Sequence, residues 1–226
     1  MSNIPILYSF RRCPYAMRAR MFISMCDIEV ELREVHLRNI PKEMSEISPK
    51  STVPVLQFDN GEILEESVDI MDWAINLNDK YDLKYSKEQN IEKTQEILNI
   101  IDGPFKFHLD RYKYNTRYIG NEKIMSREEH RNEALKLLDI IEKELTNKKL
   151  WIFSNNPSFI DLAILPFIRQ FRIADIEWFD KDMPFKNLHA WLMRFLEWQT
   201  FHYIMKKNKP WKVDDEPIYF GKNKLN

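Results

Sequence analysis

The hydrophobic period of this chain changes near residue 80, and this change restricts the fold more than any other feature of the sequence. Before residue 80, short apolar runs typical of strands alternate with helical spacing, whereas beyond it apolar residues recur only at helical spacing. A segment patterned for one period cannot bury its apolar face in the other structure. The sequence therefore predicts a small α/β domain over residues 1–78 and an all-helical domain over residues 85–226, joined by a polar stretch.

The first part reads as a strand–helix–strand unit followed by a hairpin and a helix. The predicted strands lie over residues 4–10, 30–37, 52–58 and 62–64. Pro14 suits the first turn of the first helix, because its missing N–H costs nothing there. The Asp-Asn-Gly sequence at 59–61 is typical of a hairpin turn, and apolar spacing from Ser67 predicts the next helix. The order is βαβ, then ββα.

The second part carries three serine-led capping boxes, each with an acid or amide three residues after the serine. These pairs are Ser86 with Gln89, Ser126 with Glu129, and Ser158 with Asp161. The third is the weakest by rule, since Glu or Gln is preferred at that position. We also expect helix kinks at Pro166 and at residues 103–104, where proline or a Gly-Pro pair interrupts the pattern.

Composition excludes several classes of function. Lys and Arg total 34 against 35 Asp and Glu, so the net charge of -1 leaves no basic footprint for nucleic acid as the main partner. The four glycines stand apart at positions 61, 103, 120 and 221. Dinucleotide-binding and phosphate-cradling loops need clustered glycines, so neither motif is present.

Two cysteines, Cys13 and Cys26, cannot form a disulfide framework. If both belong to one helix they are about 20 Å apart at ~1.5 Å per residue, far beyond disulfide reach. The first residues lack the pattern of a signal peptide, and no run approaches the roughly 18 apolar residues of a membrane span. We therefore expect a soluble, cytoplasmic protein with reduced thiols and no membrane partner.

Cys13 is the strongest candidate for chemistry. It lies where the first predicted strand ends and the first helix begins, with Arg11, Arg12 and Arg18 nearby in sequence. A helix N-terminus and neighbouring cations both stabilise a thiolate, which predicts a lowered thiol pKa and a nucleophilic sulfur. The alternative is a buried, inert cysteine that packs as a small hydrophobe.

The residues around Cys13 resemble those of a known family. Cys13-Pro14-Tyr15-Ala16 is similar to a glutaredoxin-type active site, and residues 6–73 resemble the thioredoxin-like domain of cytosolic glutathione transferases. The nearest classes are omega-like and dehydroascorbate-reductase-like, in which cysteine is the nucleophile. The resemblance implies a thioredoxin-like domain followed by the family's all-helical C-terminal domain. It also implies glutathione as cosubstrate and a homodimer.

Two further motifs match that resemblance. It implies that Val53-Pro54 has a cis bond and that the Val53 backbone pairs with an extended tripeptide by strand addition. It also implies that Glu66 and Ser67 hold the ammonium and carboxylate of the γ-glutamyl end of glutathione, which places the ligand sulfur toward Cys13. The alternatives are an ordinary edge strand at Val53-Pro54 and simple helix capping at Ser67.

The sequence departs from the family pattern at two positions. Omega-like members carry a lysine before the proline of the second-helix region, where it contacts the glycyl end of glutathione; here Ile40 stands there. Arg38 or Lys42 could substitute for it. Ala16 replaces the second cysteine of dithiol glutaredoxins, so no local thiol can resolve a Cys13 adduct.

Other candidate residues are weaker. Tyr8 lies near the tyrosine of conjugating classes, but we interpret it as core or pocket wall. The histidines form no metal-binding spacing and predict no metal site; they are at positions 36, 108, 130, 189 and 202. Four aromatic residues at helical spacing favour an ordinary core over a hydrophobic cosubstrate pocket: Trp191, Phe195, Trp198 and Phe201.

The leading hypothesis is a glutathione-dependent thiol transferase or reductase that acts through Cys13 on mixed disulfides or dehydroascorbate-like substrates. A conjugating glutathione transferase and a non-catalytic interaction protein on the same fold are the alternatives. For the homodimer, the sequence offers only three aromatic residues near the Gly-Pro pair: Phe105, Phe107 and Tyr112.

Overall fold

A computed structural model describes residues 4–118, 125–146 and 149–222. The chain divides into two compact units. One contains the chain up to Lys84 together with the segment from Trp198 onward, and the other is Tyr85–Glu197. The last segment, which the sequence pattern placed in a helical domain over residues 85–226, therefore packs with the first unit.

A five-stranded mixed sheet forms the first unit, with strand order β4-β3-β1-β2-β5. The strands are β1 (Ile6–Ser9), β2 (Val30–Glu34), β3 (Val55–Gln57), β4 (Ile63–Leu64) and β5 (Tyr219–Phe220). β1 and β2 are parallel, and the other neighbours are antiparallel. The four strands predicted before residue 80 are confirmed, including the hairpin, in which Phe58 N–H donates to Glu62 O at 2.9 Å.

β5 was not predicted, because the strand pattern after residue 80 is too short to detect. Its two residues pair with Val30 and Glu31 of β2. The neighbouring Ile218 O accepts the Leu32 N–H at 2.7 Å. This pairing carries the C-terminal segment to the edge of the sheet, and it explains why that segment belongs to the first unit.

The helices are α1 (Pro14–Met25), α2 (Lys42–Ile47), α3 (Ser67–Leu77), α4 (Leu83–Gln89), α5 (Ile91–Ile100), α6 (Lys106–Lys113), α7 (Arg127–Leu145), α8 (Phe159–Ala174), α9 (Ile176–Lys181), α10 (Lys186–Glu197) and α11 (Gln199–Ile204). In the first unit α1 packs against both α3 and α11. α2 was not predicted as a helix, because its six residues bury a single side chain, Met44, and show no clear period. Among the described residues, no helix is long and apolar enough to cross a membrane.

The second unit is built around α8, whose residues from Phe159 to Ile168 are all buried. The helix continues through Pro166. The expected break at residues 103–104 is confirmed as a π-helical turn (Ile101–Phe105), in which Gly103 leaves helical backbone angles. The ring of Phe171 packs against those of Phe105 and Tyr112, with centroids 5.7 Å and 5.4 Å apart.

Two of the three predicted capping boxes are confirmed. Ser126 and Glu129 form one at the start of α7, and Ser158 and Asp161 form the other at the start of α8. The third prediction is wrong, because Ser86 lies inside α4. Its hydroxyl instead accepts the backbone N–H of Phe159 at 3.0 Å and so helps to satisfy the first turn of α8.

Candidate active site

Cys13 occupies the N-cap position of α1, immediately after the loop that follows β1. Its backbone is extended, and its N–H donates to Phe10 O at 3.0 Å. Pro14 is the first residue of the helix. The predicted placement of this cysteine at a strand-to-helix junction is therefore what the structure has, with the side chain half-buried.

The sulfur of Cys13 lies beside the backbone of Val53. Sγ donates to Val53 O at 3.6 Å, across 40 residues of sequence. The Val53–Pro54 bond is cis. Val53 precedes β3 by two residues and lies outside the ladders that β3 forms with β1 and β4. The structure thus brings together two of the predicted site motifs, the thiol and a stretch of backbone outside the sheet.

An apolar cluster surrounds this junction. Its buried members are Tyr8, Ala16, Val35, Met44, Val53 and Val55. Cys13 and Ile40 are half-buried and pack against it. Ile40, which stands at the family's lysine position, therefore contributes apolar contact rather than charge. Of the two substitutes considered for that lysine, Lys42 pairs with Glu46 at 3.2 Å on α2, and Arg38 is exposed.

The three arginines near Cys13 in sequence have separate structural contacts. Arg11 Nη1 donates to Met205 O at 3.4 Å, and the Arg12 guanidinium lies 5.3 Å from the ring centre of Phe10. Arg18 is fully buried, and its Nη1 donates to Ser67 Oγ at 3.4 Å. Arg18 thus links α1, which begins beside Cys13, to the first residue of α3.

Glu66 and Ser67 form the N-terminus of α3. Glu66 is the N-cap residue with extended backbone, and no side chain caps the helix. The first N–H groups of a helix have no intrahelical acceptor, so this end presents donors and a positive dipole. Ser67 is 4 % exposed. Its hydroxyl faces the buried Arg18 guanidinium, which adds positive charge behind the same helix end.

Lys50 is a charged neighbour of this helix end that sequence reasoning missed. Its Nζ lies 2.7 Å from Glu66 Oε1 and 3.8 Å from Glu65 Oε2. Glu65 in turn accepts the hydroxyl of Ser48 at 2.5 Å. Glu66 raises the pKa of Lys50 through this contact. No local pattern could have revealed the pair, because its partners are 16 residues apart and meet only in the folded chain.

The remaining thiol and phenol candidates are structural. Cys26 is the C-cap residue of α1 and is 1 % exposed. Burial raises its thiol pKa to about 12, with Asp79 as a secondary cause. Tyr8 is also buried, and its hydroxyl accepts Arg33 Nη1 at 2.9 Å. Burial raises the pKa of Tyr8, although Arg33 opposes that effect. Tyr8 is therefore a core residue, which is one of the two interpretations that the sequence left open.

The aromatic and histidine candidates divide between the two units. Trp191 and Phe195 are buried in the second unit, where Trp191 Nε1 donates to Asp161 Oδ1 at 2.8 Å. Trp198 and Phe201 belong to the first unit. Within the parts of the chain that the structure describes, no group of three or more His, Cys, Asp or Glu side chains could hold a metal ion.

Comparison with known proteins points to one family. Residues 7–82 match the model of the glutathione S-transferase N-terminal domain, and residues 124–194 match that of the C-terminal domain. A probable glutathione transferase omega-2 of Caenorhabditis elegans is 30% identical over 187 residues, which cover 80% of this chain and 68% of the relative.

Two further similarities concern parts of the chain or its fold. Glutaredoxin 2 of Escherichia coli (strain K12) is 32% identical over 93 residues, covering 41% of this chain and 43% of that protein. The solved structure of a glutathione transferase from Pseudomonas putida, with glutathione disulfide bound, has a TM-score of 0.69 at 20% identity. The matched region covers 90% of this chain and 91% of the Pseudomonas putida chain.

Proposed function

The chain belongs to the glutathione transferase family, and we propose that within it the protein is a glutathione-dependent thiol transferase whose nucleophile is Cys13. One observation carries the proposal: a cysteine stands at the N-cap of α1 with its sulfur 3.6 Å from the Val53 carbonyl oxygen. The similarity of part of the chain to a glutaredoxin supports the same chemistry.

Glutathione binds, in this proposal, along one side of the first unit. Its cysteinyl backbone pairs with Val53 next to Pro54, by the strand addition that extended peptides use. Its γ-glutamyl end meets Glu66 and Ser67, where a carboxylate can receive an ammonium group and helix N–H donors can receive a carboxylate. Because Cys13 lies beside Val53, this placement brings the ligand sulfur to the protein thiol.

Cys13 then acts by thiol–disulfide exchange. Its thiolate, favoured by the positive end of α1, attacks the glutathionyl sulfur of a mixed disulfide. A Cys13–glutathione disulfide forms, the substrate disulfide breaks, and the released thiolate takes up a proton. The thiolate of a second glutathione attacks the adduct, which frees Cys13 and leaves glutathione disulfide.

The second glutathione is required because the chain supplies no resolving thiol near Cys13. Ala16, the position of the second cysteine in dithiol sites, is fully buried, and Cys26 lies at the opposite end of α1. With a dehydroascorbate-like substrate the Cys13 thiolate is again the nucleophile. Two glutathione molecules are then oxidised to the disulfide, and the substrate gains two electrons and two protons. The proposal places the protein in the cytoplasm, where glutathione is reduced.

The test compares Cys13 variants in two assays, reduction of hydroxyethyl disulfide and conjugation of a chlorodinitrobenzene-type electrophile. Cys13→Ala should abolish reduction while glutathione binding persists. Cys13→Ser should also lose reduction but gain conjugation, because a serine hydroxyl can hydrogen-bond the glutathione thiolate without capturing it as a disulfide. Cys26→Ala, which alters the buried cysteine at the other end of α1, is the matched control and should keep reductase activity.

Each alternative function has its own outcome. Full reductase activity in Cys13→Ala would contradict the proposed nucleophile. Conjugation without reduction by the wild-type protein would show that the protein is a conjugating transferase. Absence of both activities, together with failure to retain glutathione, would leave the family fold serving as an interaction protein.

A further inference from the structure

The N-terminus of α3 combines groups that attract an anion with the carboxylates of Glu66 and Asp69. The helix end presents N–H donors that no side chain caps. Behind it, the fully buried Arg18 guanidinium donates to Ser67 Oγ. The Lys50 ammonium contacts Glu66, the residue next to Ser67 in the chain, and lies 3.8 Å from Glu65 Oε2. The helix N–H donors and the buried guanidinium beside Ser67 together favour an anion at this end of α3.

The Lys50–Glu66 pair is open to exchange. The side chain of Lys50 is 51% exposed and that of Glu66 is 68% exposed, so water screens their attraction. Such exposed ion pairs contribute little to folding and can change partners without a structural penalty. Lys50 is also free to move as a long, flexible cation.

We propose that Lys50 is a specificity-determining residue that binds the α-carboxylate of the γ-glutamyl group, an inference that rests on the proposed glutathione-dependent function. When the ligand ammonium takes its place beside Glu66, Lys50 leaves that carboxylate and turns to the ligand carboxylate above Ser67. The ligand ammonium then has Glu66 as its counter-charge, and the ligand α-carboxylate has Lys50.

In this arrangement the lysine that recognises a ligand carboxylate acts at the γ-glutamyl end of glutathione and not at the glycyl end. At the position where the family pattern has a lysine for the glycyl end, Ile40 packs into the apolar cluster. Lys50 supplies a cation at the γ-glutamyl end instead. The substrate class that follows is a thiol or disulfide that carries a complete γ-linked α-amino acid group.

The experiment measures Kd by titration calorimetry with S-methylglutathione, which cannot form a disulfide with Cys13. Lys50→Met should weaken its binding at least about tenfold, the effect of losing one charged hydrogen bond, and Lys50→Arg should restore most of it. Lys136→Met is the matched control, because Lys136 is likewise exposed and paired with a glutamate. It should leave the Kd unchanged.

Ligand analogues identify which carboxylate Lys50 holds. The S-methyl tripeptide with γ-aminobutyrate in place of γ-glutamate lacks the α-carboxylate, and the effect of Lys50→Met should vanish with it. The effect should persist with the glycyl ethyl ester of S-methylglutathione, whose other carboxylate is blocked. The reverse pattern, or equal binding by wild type and Lys50→Met, would overturn the assignment.

The failure of this inference is distinct from the failure of the proposed function. If wild type and Lys50→Met bind S-methylglutathione and reduce hydroxyethyl disulfide equally well, the proposed role of Lys50 is wrong and the proposed function stands. If wild type neither binds S-methylglutathione nor reduces hydroxyethyl disulfide, both proposals are wrong. Thermal unfolding of Lys50→Met should match that of wild type, which ties any loss of binding to the missing ammonium.

Discussion

Cys13 and Cys26 cap opposite ends of the same helix, and their surroundings give them opposite reactivities. Cys13 is half-buried at the positive end of α1. Cys26 is enclosed at the other end, where burial, and secondarily Asp79, raise its thiol pKa to about 12. Thiolate is the reactive form of cysteine, so position along one helix decides which sulfur reacts.

Iodoacetamide should therefore label the folded protein at Cys13 and leave Cys26 unmodified. We expect the labelling rate of Cys13 to rise with a midpoint below about 8.5, the ordinary value for a thiol. Cys26 should react only after denaturation. Mass spectrometry of peptides from protein alkylated between pH 6 and 9 measures both sites. Labelled Cys26 beside unlabelled Cys13 would contradict the assignment of the nucleophile.

The buried Cys26 thiol should also make stability fall at alkaline pH. In the unfolded chain this thiol ionises near pH 8.5, whereas in the folded chain it stays protonated to about pH 12. Its contribution is thus complete below the unfolded pKa and is lost as pH rises through the folded one. At pH 9.5 we expect a loss of about 1 kcal/mol. Urea unfolding at pH 7.5 and 9.5 measures it, and Cys26→Ala should lack this component.

At the scale of single elements, the start of α8 depends on Asp161. This carboxylate is fully buried and accepts four hydrogen bonds, from Ser158 N, Ser158 Oγ, Ile152 N and Trp191 Nε1. Capping alone needs only the first of these. The sequence rule makes this capping box the weakest of the three, because it has Asp where Glu or Gln is preferred. In the structure, the Asp161 side chain connects the start of α8 to the preceding loop and to α10.

Asp161→Ala should destabilise the protein by about 3–5 kcal/mol, because buried donors lose a charged acceptor. Glu129→Ala, in the exposed capping box of α7, is the matched control and should cost about 0.5–1 kcal/mol. Denaturant unfolding followed by circular dichroism compares the two. Equal losses would mean that the buried network adds nothing to the cap.

The edge strand β5 depends on Gly221. Its φ is +103, and a Cβ atom there would lie 1.9 Å from Ile28 O and 2.7 Å from Ile23 Cγ2. Its N–H donates to the Tyr203 hydroxyl at 3.0 Å, while the Tyr203 ring stacks on Phe220. A side chain at this position must push the terminal segment away from the sheet.

Gly221→Ala should therefore release β5, with faster hydrogen exchange of Leu32 N–H and increased proteolysis after residue 205. Gly61→Ala is the control, since Gly61 also has positive φ but open space around it. It should cost about 1 kcal/mol from the backbone angle alone and leave β5 paired. If Gly221→Ala protects Leu32 as well as wild type does, the close contact with Ile28 is not required.

At the scale of the whole molecule, the residues proposed for catalysis and glutathione binding all lie in the first unit: Cys13, Lys50, Val53, Pro54, Glu66 and Ser67. The unit that carries them is completed by the C-terminal segment. Trp211 N–H donates to Glu34 O at 2.8 Å, and Ile204 O accepts Arg20 Nε at 3.0 Å. Sequence-distant residues thus support the same sheet that positions Cys13.

The predicted homodimer also belongs to this scale. Of the three aromatic residues near the kink, Phe105 and Tyr112 are buried within one chain, while Phe107 is 47% exposed. Phe107 is therefore the member that a second copy could cover. Light scattering at micromolar concentration should give twice the mass of the chain, and Phe107→Ser should weaken the association. A monomeric wild type would contradict the prediction.

The sequence alone determined the parts that depend on local chemistry. Hydrophobic period placed β1, β2, the hairpin and α1, since each buries a face set by its own residues. Proline and the strand-to-helix change placed Cys13 at the start of α1. The capping boxes at Ser126 and Ser158 followed from side chains three residues apart, and the resemblance named the family.

Only the tertiary structure decided which distant groups meet. β5 forms because it pairs with the free edge of β2. The Ser86 hydroxyl accepts a backbone N–H of α8 and does not cap its own helix. Lys50 contacts Glu66, which is 16 residues away in sequence. Arg18, which the sequence placed near the thiol, is directed instead to Ser67. Such contacts depend on where the folded backbone carries each side chain, and the energy of any one pair is too small to leave a signal in local sequence.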